Sequence, residues 1–268
     1  MKKLFVLFML ASVVGFVSCK KDDNTGDDNN GVDTSKKEKL LTQVKMTTPL
    51  SAKVIDASYN DALNLDKVKS SSDGSIVSVK KYNYNGSLLV DCKWYSDEAM
   101  TNQIGSNSYT FNASGQLTKM IEIDGADTIT YTVSWNSGKI SEYTAINASA
   151  PFTDTRHVFE WTGDNVTKET LYERDSTGNF VSAGYNIFTL DDKINPYTIK
   201  YIPELEDVSF FNKNNILKIE NFDPSGNPIA ITTFTYVYDD KGYPVTGTFD
   251  YGYISGQYEF KYGEFSKQ

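Results

Sequence analysis

From about Lys39 onward the chain alternates hydrophobic and polar residues and carries no long run at helical spacing. Residues 129–135, ITYTVSW, alternate most cleanly. Ile129, Tyr131, Val133 and Trp135 fall on one face, and Thr130, Thr132 and Ser134 on the other. Near the C-terminus Phe249, Tyr251 and Tyr253 share a face, Ser255-Gly256 reverses the chain, and Tyr258, Phe260 and Tyr262 share a face on the return strand. This pattern predicts a sheet with one covered face and one wet face. Residues 48–65 are the least regular and suit either a short helix or an irregular loop.

A short unit recurs along this stretch. Its strongest copy is YVYDDKGYPV at 236–245; YTFNASGQL at 109–117 and SFFNKNNIL at 209–217 line up with it. Tyr238, Phe111 and Phe211 then share a column, followed by Asp239, Asn112 and Asn212, and later by Gly242, Gly115 and Asn215. Gly and Asn tolerate positive φ at least cost, and an Asp or Asn side chain can close a turn on the backbone ahead of it. Each unit therefore predicts a strand end, a tight turn and a strand start. Shorter copies begin at residues 82, 133, 159 and 188, and Asn85-Gly86 is a two-residue hairpin signal. Further turns lie at Asp124-Gly125, Asp175 to Gly178 and Asp223 to Gly226. Seven units at spacings of 21–29 residues, with two strands each, predict an all-β, antiparallel, up-and-down meander of about 14 strands. Such a meander leaves two bare edges unless it curls. A rolled or closed barrel-like sheet is expected, with an extended single-layer sheet or a sandwich as the alternative.

The N-terminus has a different character. Lys2 and Lys3 precede an uncharged apolar stretch from Leu4 to Val17, followed by Ser18 and Cys19. The stretch is shorter than the roughly 20 residues of a membrane-spanning helix and reads as a secretory signal peptide over residues 1–18. Phe16-Val17-Ser18-Cys19 resembles the lipobox of bacterial lipoproteins, and Lys20-Lys21-Asp22-Asp23 resembles a sorting signal for the outer leaflet. The resemblance implies acyl chains on Cys19, where each buried CH₂ adds about 0.8 kcal/mol of membrane affinity. Residues 19–37 hold Val32 as their one apolar residue besides Cys19, and form a lipidated flexible tether. Residues 38–268 form the repeat-built β domain.

Tyr236-x-Tyr-Asp-x-x-Gly242 resembles the YD repeat of Rhs-type proteins. Together with the lipoprotein signal, these degenerate units resemble a family of surface lipoproteins of Gram-negative anaerobes, a domain family of unknown function with a porin-like β fold. The resemblance implies an outer-membrane, lipid-anchored position at the cell surface, with the periplasmic face as the alternative. It supplies no functional residues.

Loss of residues 1–18 removes two lysines and takes the net charge from −9 to about −11. An acidic surface argues against nucleic acid and against adhesion to anionic headgroups. The membrane partner is reached through the lipid anchor. Charges on both strand faces also argue against insertion of the sheet in lipid. In LTKMIEI, Lys119 shares a face with Leu117, Ile121 and Ile123 while Glu122 takes the other, and Lys168 opposes Glu169 and Glu173. Beyond Cys19 the single cysteine is Cys92, in the strand-like LLVDCKWY, a small buried hydrophobe.

Candidate chemistry is sparse. The lone histidine, His157, has no nucleophile motif beside it and reads as a strand residue, hydrogen-bonded or exposed. No catalytic set, metal site or cofactor is expected. Glu204, Glu206 and Asp207 could supply a glycosidase pair only if a cleft set two of them about 5–10 Å apart. Asp-rich turns could hold Ca²⁺ weakly, but turn formation explains them. Trp94, Trp135 and Trp161 would stack on sugars if exposed, although Trp135 and Trp161 share a column on the apolar face. Asp127-Thr128-Ile129 and Asp175-Ser176-Thr177 resemble an O-glycosylation acceptor, Ser176 the better placed. The expected function is a non-enzymatic binding or structural module at the cell surface, with a glycan or a protein as ligand. The alternative is a carboxylate-based glycan-active enzyme.

Overall fold

The computed structural model describes residues 37–198, 205 and 207–266. The signal peptide, Cys19, the tether up to residue 36, Glu204 and Glu206 lie outside the described residues. Sixteen strands follow in chain order: β1 (Glu38–Thr47), β2 (Ala52–Tyr59), β3 (Leu65–Ser72), β4 (Ser75–Asn85), β5 (Leu88–Tyr95), β6 (Gln103–Phe111), β7 (Leu117–Asp124) and β8 (Asp127–Asn136). Then come β9 (Lys139–Asn147), β10 (Thr155–Thr162), β11 (Asn165–Arg174), β12 (Phe180–Leu190), β13 (Ile216–Phe222), β14 (Pro228–Tyr238), β15 (Pro244–Asp250) and β16 (Ser255–Phe265). Each strand pairs antiparallel with its chain neighbours, and β16 pairs with β1, from Glu38 opposite Phe265 to Thr47 opposite Gln257. The meander thus closes into a barrel, which leaves no bare edge.

The count differs from the expected 14 through two effects of opposite sign, the first adding strands and the second removing them. Residues 48–65 hold no helix: a turn at 48–51, strand β2 and a loop at 60–64 fill them, so the chain before the first repeat unit already carries three strands. The units at 188 and 209 also flank one connection instead of forming two hairpins. Val208–Phe210 is a single 3-10 turn, and Ile216 starts the next strand. A third correction concerns the last hairpin. Its turn is residues 251–254, with Gly252 at φ +83°, whereas Ser255 and Gly256 already pair with Asp250 and Phe249 inside the strand ladder.

The repeat has a structural basis that alternation alone hides. All eight strand pairs that meet at one rim (β16/β1, β2/β3 and so on to β14/β15) carry a one-residue register shift at the same place. The extra residue is Thr42, Asp66, Val90, Thr118, Ser141, Thr167, Leu217 or Val245, and a buried residue such as Leu117, Ile140 or Val166 precedes it. Such a bulge bends the strand and re-aims its side chains, as a closing sheet requires. It also resets the alternation. Leu117, Met120 and Glu122 therefore fall on the inner face, and Lys119, Ile121 and Ile123 on the outer one, a different grouping from the one simple alternation predicts. Beside the bulges, Trp135 Nε1 donates to the Leu117 carbonyl at 2.7 Å and Trp161 Nε1 to that of Ile140 at 2.8 Å. The shared column of these two tryptophans is thus a shared hydrogen bond.

The inner face is apolar toward this rim. One core cluster gathers Leu41, Val44, Ile55, Tyr82, Phe249 and Phe260, and a second gathers Leu117, Tyr131, Tyr143, Phe159, Phe188 and Ile219. Barrels of 16 strands are too wide for wall side chains alone to fill. Here the β12–β13 connection turns inward from this rim, with Leu205 and Val208 buried in the second cluster and Tyr197 packed on the first. These described side chains add to the apolar packing of that half of the barrel.

Candidate functional site

Toward the opposite rim the inner face turns polar. On β10 to β13 the ladder lines up four hydrogen-bonding side chains. His157 Nδ1 lies 2.7 Å from Glu169 Oε1, and its Nε2 lies 3.2 Å from the Thr155 hydroxyl. Asn186 Nδ2 donates to Glu169 Oε2 at 2.8 Å, and Asn221 Nδ2 donates to Asn186 Oδ1 at 2.6 Å. Tyr143 stacks on the imidazole with centroids 4.4 Å apart. Glu169 and Asn186 are buried. Burying a carboxylate is costly without partners, and this chain of bonds supplies them. His157 is therefore hydrogen-bonded within the wall, the first of the two positions expected of it, and its carboxylate partner was not foreseen.

The wall of β2 to β7 is charged as well. Lys53 shares the inner face with Ile55, and Lys80 with Tyr82. The Lys80 ammonium sits 4.9 Å from the centre of the Trp94 ring. Ser72 pairs with Lys53, and Ser70 with Ser78, between the two lysines. Asn107 and Glu122, one and two strands beyond Trp94, pair with each other, and the Asn107 amide oxygen is buried without a hydrogen-bond partner among the described residues. Lys53, Ser70, Ser72, Ser78, Lys80 and Glu122 are each half-buried although they face inward. Water thus reaches this half of the lumen.

Burial, and then the nearby charge of Lys80, hold the Lys53 ammonium below its usual pKa of 10.5. A lowered lysine pKa means that the charged form opposes folding at neutral pH, a penalty relieved only as pH rises through the lowered value toward 10.5. Lys53→Met keeps the stem and removes the charge. It is expected to raise the melting temperature at pH 7; a lower melting temperature would show that the ammonium stabilises the wall.

The other residues singled out from sequence have plainer positions. Asp175 and Asp223 cap their own turns, accepting from Thr177 and Asn179 and from Ser225 and Asn227. These bonds, led by the side chains of Thr177 and of Asn227, hold both carboxyls below the usual range. Among the described residues no three His, Cys, Asp or Glu side chains gather as a metal site. Asp207 accepts from the Ser209 amide at the 3-10 turn. Trp94, Trp135 and Trp161 pack on the interior clusters, so none forms an outer stacking platform. Cys92 is buried and free of disulfide. Ser176 is exposed at the tip of the β11–β12 turn, and Thr128 is half-buried at the start of β8.

The fold is similar to that of a porin-like protein from Bacteroides uniformis, known from a crystal structure. The TM-score is 0.56 and the identity 15%, over 82% of this chain and 96% of that one. A porin-like protein from Bacteroides vulgatus matches at a TM-score of 0.42 and 10% identity, over 84% of this chain and 99% of that one. No protein-family model and no curated protein matches the chain. At 15% identity the likeness of the first is one of fold.

Proposed function

We propose that the protein is a lipid-anchored barrel that stands in water at the outer membrane and works there as a non-enzymatic binding or structural module. The observation that carries this reading is the polarity of the wall. Mid-strand ion pairs cross the outer face: Lys45 with Glu259 at 2.7 Å, Arg156 with Glu142 at 2.6 Å and Lys168 with Glu160 at 2.6 Å. A lipid-facing Lys or Arg costs about 2–4 kcal/mol at mid-depth, and spanning barrels turn apolar residues outward and polar ones inward. This barrel does the reverse toward its bulged rim. The porin-like description of the Bacteroides uniformis protein fits an outer-membrane address, and the lipobox-like Phe16 to Cys19 supplies a way to be held there.

The test is fractionation of cells making the native chain or Cys19→Ala. The native chain is expected to pellet with the outer membrane, and the variant to leave membranes in alkaline carbonate. Retention of the variant, or channel conductance in a planar bilayer, would overturn the proposal. Turnover in a glycan hydrolysis screen of the released protein would overturn its non-enzymatic part.

A further inference from the structure

We propose that the outer face of β14 and β15 is the surface on which two copies of this chain pair. This rests on the reading of the barrel as standing in water and adds a partner to it.

Along β14 the outward residues are Ile231, Thr233, Thr235 and Val237, alternating with Phe234 and Tyr236 on the core side. On β15, Thr248 pairs with Thr235 and Thr246 with Val237. Ile231 is 50% exposed and Val237 60%, although both are aliphatic. Between β1 and β16, β9 and β10, and β10 and β11, the outer face carries ion pairs. Here six β-branched residues stand together without a charge, an apolar departure that marks a contact surface.

Three features fix the occupant. The barrel is closed, so a partner cannot add a strand and must pack side chains on a face. No aromatic ring stands among the six residues for a sugar to stack on, and the Thr235 and Thr248 hydroxyls, 2.7 Å apart, bond to each other. Charged columns border the face on both sides: Lys218 and Glu220 on β13, 3.0 Å apart, and Glu259 on β16, paired with Lys45. Lipid would have to cover those charges. What remains is a protein. The chain carries a net charge of −9, so two copies repel over most of their surface and approach best where neither bears a charge. A basic partner would gain nothing from a neutral face and would settle on acidic turns such as those of Asp175 and Asp223. The bordering columns hold both signs, so they can meet their own counterparts across a two-fold axis. β-Branched side chains have few rotamers to lose, and pairing two such faces costs little side-chain entropy. Four strands at about 4.8 Å and about eight residues at about 3.4 Å give about 500 Å² per copy, the lower end of specific interfaces. The pairing is therefore weak, of micromolar order.

The experiment is sedimentation equilibrium of the full-length Cys19→Ala protein from micromolar to near-millimolar concentration. A monomer–dimer equilibrium is expected. Ile231→Lys and Val237→Lys each set an ammonium in the dry interface and should weaken association about tenfold or more. The wall of β6 to β8 supplies the control, because Ile121 and Ile123 stand there among serines and threonines beside Lys119. Ile123 is 44% exposed on β7, seven places from β14 in the sixteen-strand ring, and Ile123→Lys should leave association unchanged. Melting curves confirm that each variant is folded, and either β14 variant carries the test if the other fails. Association equally weakened by Ile123→Lys, or untouched by both β14 substitutions, would overturn the proposal. So would binding to vesicles of neutral phospholipid that is lost in Ile231→Lys, which would assign the face to lipid. A protein released into water yet monomeric throughout would remove the pairing and leave the tethered barrel standing, whereas retention in membranes would remove the reading beneath it.

Discussion

Above pH 10 the barrel is expected to lose stability steeply and to unfold within about two pH units. Tyr59, Tyr84, Tyr197, Tyr236, Tyr251, Tyr258 and Tyr262 belong to one core cluster or pack against it. Burial, first among the causes, pushes each of these phenols above the ordinary value of 10.0. An unfolded chain releases these protons near pH 10, while the folded chain keeps them. The contribution is therefore complete below pH 10 and lost as pH climbs from there toward the folded values. Each such tyrosine lowers stability by about 1.4 kcal/mol per pH unit in that window. A stability of about 5–15 kcal/mol cannot withstand several acting together. Absorbance at 295 nm and far-ultraviolet circular dichroism, recorded along one titration, check this. A large share of the tyrosinate signal should appear only as the β signal disappears. Full ionisation with the β signal intact would show that the aromatic cluster is open to water. The cluster includes Leu41, Val44, Tyr258 and Phe260 of the closing β1 and β16 pair, so alkaline failure is expected to open the barrel at its seam.

The second large effect comes from a glycine in that neighbourhood. Gly256 lies opposite Phe249, and a Cβ there would meet the Thr47 carbonyl oxygen at 2.3 Å and Phe249 Cζ at 2.5 Å. Phe249 is 1% exposed and has nowhere to move without disturbing the core. The glycine lets the ring lie across the neighbouring strand, a pairing also seen between Trp94 and Gly105 and between Tyr236 and Gly247. Gly256→Val is expected to cost about 3 kcal/mol or more by urea denaturation. Thr132→Val, on the outer face of β8, should change stability by no more than about 0.5 kcal/mol. If the two variants melt alike, the close approach at Gly256 is not what holds the ring.

The hairpin turns were legible because their chemistry is local. Asp223 and Asp239 bond to amides two and four residues ahead, and Gly226 and Gly242 take positive φ. Any stretch with those residues can form those turns. The same locality misled at Ser209–Leu217. Its Asn-rich sequence matches a hairpin, yet Asn212 and Asn195 serve a buried link within the β12–β13 connection, with Asn195 Nδ2 donating to the Asn212 carbonyl at 2.8 Å. A turn motif does not record whether strands or 3-10 turns flank it.

The polar interior was less legible. His157 and Glu169 are 12 residues apart on neighbouring strands, and their contact depends on the β10–β11 register. Within that pair the register slips by one residue beside Trp161. A single slip moves every later side chain to the other face, so inner and outer residues could not be sorted through the bulges by counting in twos. Lys53 and Lys80 illustrate the same difficulty: nothing near either one in sequence marks it as facing the lumen.

By itself the sequence determined the antiparallel meander from Lys39 onward, the majority of its turns and its acidic character, because these follow from neighbouring residues and from composition. Tertiary structure decided the sixteenth strand and closure, the bulged rim, the connection folded into the lumen and the choice of polar side chains facing it. Those features depend on register between strands distant in sequence, above all β1 against β16, where pairing energy and core packing select one alignment among many that the local pattern allows.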